Sequence, residues 1–120
     1  FPGIDENIVK HVLEAPELRG IIMRSYGSGN APHYPWIINE LREASNRGVV
    51  VVNISQCISG KVEMGRYDTG RQLLQAGIIS GRDSTVDAAA KLMYLQGRYD
   101  DSEKIRELMA HSIAGELTEV

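Results

Sequence analysis

Arg24-Ser25-Tyr26-Gly27-Ser28-Gly29-Asn30 is the first run in this sequence whose residue types suit a grip on a small polar ligand. An arginine can hold a carboxylate through two parallel hydrogen bonds, and glycines beside it let backbone N–H groups approach an anion. The same residues also make an ordinary tight turn with Arg24 in a structural ion pair, and the run alone leaves both readings open. Pro32 stands where a dinucleotide-binding fingerprint needs its third glycine, so Gly27 and Gly29 are not a nucleotide motif. A second run, Asn53-Ile54-Ser55-Gln56-Cys57, offers amides, a hydroxyl and a thiol. Cys57 as a nucleophile would need an oriented base. Of the histidines, His11 and His111 fall in amphipathic segments that put them at a surface or rim, whereas His33 follows Asn30 and can reach the same crevice. A third stretch, residues 59–70, lacks the glycine, lysine and Ser/Thr spacing of a phosphate loop. Tyr67, Asp68 and Thr69 can serve either a site or a helix cap. No ligand cluster has zinc-like spacing, so no metal is expected.

The elements that must position these runs alternate in the manner of parallel α/β units. Residues 5–14 read as a helix carrying Ile8, Val9, Val12 and Leu13, ended by Pro16. Residues 18–25 read as a strand, 34–46 as a helix opened by Pro35, and 49–55 as a strand whose unbroken valines imply burial on both faces. Residues 57–71 read as an irregular functional loop. A short helix over 71–76, a short strand at Ile78 and Ile79, a helix over 85–95 capped by Ser84, and a last helix over 100–112 with Ile105, Leu108 and Met109 inward complete the chain. Trp36 should anchor the second helix against the sheet or a partner. Met23, Met64, Met93 and Met109 should pack in core or loops. The expected fold is α/β, a small parallel sheet between helices in a three-layer, flavodoxin-like arrangement. Both polar runs then end strands on the carboxyl edge of that sheet, where open parallel sheets bind ligands.

The chain of 120 residues fits one domain, residues 1–120. Its net charge of -3 and scattered basic residues argue against nucleic acid or an anionic membrane as partner. A single cysteine rules out an internal disulfide and points to the cytoplasm. The apolar run of residues 49–52 is far too short to span a bilayer, and the opening at Phe1 has no signal pattern. That opening reads as cut from something longer.

Several ordered stretches together resemble the C-terminal domain of type I, cytoplasmic L-asparaginases. They are Leu18-Arg19-Gly20 with Arg24 through Pro32, Glu40-Leu41-Arg42-Glu43-Ala44-Ser45-Asn46-Arg47-Gly48 running into Val49 through Asn53, Ser55-Gln56-Cys57, Ser59-Gly60-Lys61-Val62, Tyr67 through Gly70, and the closing Gly115-Glu116-Leu117-Thr118. The resemblance implies hydrolysis of L-asparagine to L-aspartate and ammonia by a threonine nucleophile, with no metal or organic cofactor. In the family the catalytic threonines lie in a larger N-terminal domain whose motifs are missing here, so this chain is expected to hold no catalytic residue and to be inactive alone. The family pairs subunits so that one C-terminal domain completes the neighbour's active site. By motif, Asn30 and Tyr67 match that site-completing role, Tyr67 standing where type II relatives place a glutamate. Arg24, Asn30, Ser55 and Cys57 match residues lining an allosteric asparagine site between subunits, so two roles compete for Asn30. The implied partners are the N-terminal domain, further copies in a dimer or homotetramer, and L-asparagine. Two alternatives remain: the asparaginase-like subunit of the archaeal glutamyl-tRNA amidotransferase, and a free-standing amino-acid-binding module.

Overall fold

Three parallel strands, β1 (Gly20–Ser25), β2 (Val50–Ser55) and β3 (Ile79–Ser80), lie in the order β1-β2-β3. This computed structural model describes residues 5–25, 35–55, 68–84 and 87–117, the side chains of Ser55 and residues 68–70 excepted. Five helices surround the sheet: α1 (Glu6–Leu13), α2 (Pro35–Asn46), α3 (Asp68–Gln75), α4 (Asp87–Arg98) and α5 (Ser102–Met109).

Side-chain alternation along β2 divides the core between two faces. Val49 and Val51 join Leu13 of α1, Ile37, Ile38 and Leu41 of α2, and Leu73 of α3. Val50, Val52 and Ile54 join Ala88, Leu92 and Leu95 of α4 with Ile105 and Met109 of α5. From Val50 to Ile54 no residue is more than 1% exposed, so the valine run is covered on both sides, as its composition requires. The result is the expected three-layer α/β fold.

Local chemistry sets the ends of the elements. Asp5 Oδ1 accepts from the N–H of Ile8 and opens α1, and Asp101 Oδ1 accepts from the N–H of Glu103 and opens α5. Gly20 admits α4 against β1, since a Cβ there would lie 2.6 Å from Leu92 and 2.7 Å from Gln96. Arg19 reinforces that contact through the carbonyls of Gln96 and Tyr99. Arg106 of α5 donates to the carbonyls of Ser45 and Val49, tying α5 to the start of β2.

The structure differs from sequence expectation in several places. α1 buries only Leu13 and half-buries Val9, leaving Ile8 and Val12 exposed, because α1 lies at the flank of α2 with one narrow stripe inward. α3 starts at Asp68, three residues before the expected Arg71. α4 runs on to Arg98 through Gly97, where a Cβ would meet open space. Residues 85 and 86 lie outside the described residues, whereas Ser84, expected as the cap, is described and buried, its N–H donating to the Gly81 carbonyl at 3.0 Å. α5 is shorter than expected because Ala110 already takes the C-cap position. Met93 is 72% exposed, not packed, whereas Met109 is buried and Met23 half-buried. Trp36 packs against the α1–α3 core as expected.

Candidate functional site

Parallel pairing carries both polar strand ends to one edge. Arg24 is in register with Ile54, and Ser25 with Ser55, while Ser80 of β3 pairs with Asn53. Two of the effector-site residues matched by motif, Arg24 and Ser55, therefore stand on neighbouring strands one register step apart. Asn30, Cys57 and Tyr67 lie outside the described residues, as does His33. His11 of α1 is exposed, and so is His111, which lies beyond the end of α5 and not within a helix as expected.

Beneath this edge the polar groups are buried and mutually bonded. Ser25 is 1% and Asn53 0% exposed, and Ser25 Oγ donates to Asn53 Oδ1 at 2.6 Å. Both fall on the α1–α3 side of the sheet by the same alternation that places Ile21, Met23 and Val51 there. A neutral pair of this kind avoids the cost of an unpaired buried dipole while fixing the last turns of β1 and β2 against each other. The backbone carbonyl of Asn53 accepts from Gly81 N–H at 2.8 Å, so β3 is fastened to the same residue. Only glycine fits at Gly81: a Cβ would lie 2.6 Å from Ile54 Cγ2 and 2.9 Å from the Asn53 carbonyl oxygen. The chain then turns through Arg82 at φ 53°, whose N–H donates to Ser80 Oγ at 3.2 Å.

Arg24 alternates to the other face, with Gly20 and Ile22, and is exposed. The edge thus presents a guanidinium in solvent reach above strands locked by a neutral pair. Such an arrangement can hold a carboxylate. Among the described residues no group of three or more His, Cys, Asp and Glu could hold a metal ion, and no helix is long and apolar enough to cross a membrane.

A second buried polar centre lies on the α4–α5 side. Lys91 is 7% exposed, donates from Nζ to the carbonyls of Met109 (3.3 Å) and His111 (2.6 Å), and pairs with Glu116 Oε1 at 3.0 Å. Burial pushes the Glu116 carboxyl upward. Hydrogen bonds from the N–H of Ile113, from Lys91 and from the N–H of Ala114 outweigh it and hold the group at about 2. Sequence reasoning missed this centre. Its signal was Lys91 standing beside the buried Ala88, Leu92 and Leu95 on the inward stripe of α4.

Residues 1–109 match the glutaminase/asparaginase C-terminal domain family. The chain is 50% identical over 119 residues to L-asparaginase 1 of Escherichia coli K12, covering 98% of this chain and 35% of that protein. It is 42% identical over 120 residues to the human 60 kDa lysophospholipase, covering 98% of this chain and 21% of that protein. The crystal structure of L-asparaginase I from Vibrio cholerae superposes with a TM-score of 0.91 at 41% identity, over 99% of this chain and 36% of that one. The chain therefore spans about a third or less of the relatives it matches. With the sequence match covering nine-tenths of its length and the whole described fold shared, this chain belongs to the glutaminase/asparaginase C-terminal domain family.

Proposed function

We propose that this chain serves a cytoplasmic type I L-asparaginase, completing the active site of a neighbouring subunit and binding L-asparagine as an effector. The observation that carries the reading is the 50% identity with the L-asparaginase 1 of Escherichia coli along nearly the whole chain. Hydrolysis of the amide falls to threonines of the N-terminal domain, and this chain contributes substrate-side and effector-side groups. The substrate-side groups we assign by motif are Asn30 and Tyr67. Arg24, with Asn30, Ser55 and Cys57, takes the effector.

The chemistry of the effector fits the edge. An amino acid brings one carboxylate and one ammonium group, and the carboxylate needs a fixed cationic partner to offset its desolvation. Arg24 is the arginine of the strand-to-turn run, and its register with Ile54 puts it at the edge where β1 and β2 both end, which supports an effector held there. A ligand that binds one assembled state better shifts the population toward it, with a coupling of ~1 to 3 kcal/mol.

Steady-state kinetics of the full-length enzyme test this. Asparagine saturation should be sigmoidal, and Arg24→Ala should make it hyperbolic while turnover at saturation survives. Hyperbolic kinetics in the wild type would reduce Arg24 to a brace for its turn. Tyr67→Ala should lower turnover more than it lowers the melting temperature, because the glycine-rich sequence around Tyr67 is of the kind that serves a site more than a core. The reverse result would assign Tyr67 to the scaffold.

A further inference from the structure

The groove on the outer side of the α4–α5 layer has a lining that neither the catalytic nor the effector reading uses. It holds about 620 Å³, within the ~300 to 1,000 Å³ range of small-ligand sites. Leu95 and Leu108 form its floor, Tyr99 one end, and Tyr94 with Ile113 its rim. The rim is wet apolar surface, Tyr94 being 54% and Ile113 44% exposed, with Met93 of the same helix 72% exposed beside it. Isolated exposed apolar residues are ordinary, but a cluster around a concave apolar floor marks a binding surface.

The charges of the groove are unequal. Glu116 is saturated, since Lys91 and the N–H groups of Ile113 and Ala114 already hold its carboxylate. Arg98 has a neutral partner: its guanidinium lies over the Tyr94 ring, 5.7 Å from the centroid. The cationic head at the mouth is thus held in place by an aromatic ring without being neutralised by a carboxylate. The same Lys91–Glu116 pair fixes residues 113–116 as a wall, so the groove is formed before any ligand arrives.

We propose that this groove binds a small free monocarboxylate with an aryl or short alkyl body, its carboxylate on Arg98 and its body along Leu95, Leu108 and Ile113. A volume of about 620 Å³ suits a small molecule, and Arg98, the one cation of the described lining without a carboxylate partner, selects one anionic group. The site is separate from the carboxyl edge of the sheet, because Arg98 ends α4 beside Arg19, at the opposite end of β1 from Arg24.

Calorimetric titration of the full-length protein with 3-phenylpropionate, and with its neutral counterpart 3-phenylpropanol, tests the proposal. The acid should bind, and the alcohol at least about tenfold more weakly, the loss of one charge-assisted contact. Arg98→Gln should weaken the acid about tenfold and leave the alcohol unchanged. Ile113→Glu, a change on the exposed rim, should abolish binding of the acid. No binding of the acid, equal binding of the alcohol, or acid binding indifferent to both variants would overturn the proposal, the last by placing the ligand elsewhere.

Discussion

Ser25 with Asn53, and Lys91 with Glu116, are two buried polar pairs on opposite faces of one sheet, held in opposite ways. The first is neutral, is joined by a short hydrogen bond of 2.6 Å with a longer one of 3.3 Å from Ser25 Oγ to the Ile54 carbonyl, and links regular strands at their carboxyl ends. The second is charged, needs at least five hydrogen-bonding contacts to satisfy it, and holds a stretch without regular structure, residues 111–117, against α4. The difference follows from desolvation. A neutral pair is cheap to bury, so it can lock the strands below the candidate site without adding a charge that would compete with Arg24. A buried ion pair must recover a cost of several kcal/mol per ion through surrounding dipoles, and it does so here through the carbonyls of Met109 and His111 and the N–H groups of Ile113 and Ala114. The charged pair therefore shapes the molecule, and the neutral pair shapes the site.

Removing Lys91 should test the first half of that contrast with the largest effect. Lys91→Ala leaves the Glu116 carboxylate in the groove wall with only backbone N–H partners, and loss of one member of a buried pair costs about 3 to 5 kcal/mol. Those N–H groups place the expected loss near the lower figure, about 3 kcal/mol, read by urea unfolding. The asparagine response of the full-length enzyme should keep its shape. A variant that is fully stable, or one that loses cooperativity at unchanged stability, would break the division between the two pairs.

Asn53→Ala should give the smaller stability loss and the larger functional one. The Ser25 hydroxyl would lose its closer acceptor at a 1%-exposed position and keep only the Ile54 carbonyl at 3.3 Å, which costs about 1 to 3 kcal/mol. The strand ends carrying Arg24 and Ser55 would no longer be held in register by a side-chain bond. The half-saturating asparagine concentration and the sigmoidicity should both move, at a stability loss of about 2 kcal/mol. Unchanged kinetics would make the edge a scaffold only.

The layers of this fold were legible in the sequence because burial writes itself as pattern: four consecutive valines read as a strand covered on both faces, and that strand is β2. Ser25 and Asn53 stood within the polar runs, but their bond was not legible, since it joins residues 28 apart through a register that only the folded sheet defines. Lys91 was passed over because a lysine in a helix is ordinarily solvated. Its burial depends on Glu116, 25 positions later. Met93 shows the converse error: an apolar side chain was assigned to packing although it sits on the outer face of α4, at 72% exposure.

The smallest expected effect is an acid one, and it sharpens the contrast because only the charged pair titrates. The Glu116 carboxyl is lowered from its ordinary 4.5 to about 2, first against the opposing pull of burial and then by its N–H and Lys91 partners. Its folded value lies below its unfolded one, so between them the unfolded chain binds more protons, and stability rises with pH and is lost as pH falls. The contribution is complete above about pH 4.5 and disappears as pH falls toward 2. Solvent screening at this partly exposed group reduces it to on the order of 1 kcal/mol. Other carboxylates titrate in the same window, so the measurement is a difference: unfolding free energy from pH 5 to 2 for the wild type and for Glu116→Gln, which keeps the shape of the side chain without its charge. The wild type should lose about 1 kcal/mol more than the variant across that interval, whereas Ser25→Ala and its parent should show parallel pH curves. Parallel curves for Glu116→Gln as well would mean that the carboxylate adds nothing beyond the hydrogen bonds an amide can make, and the charged pair would then be no different in kind from the neutral one.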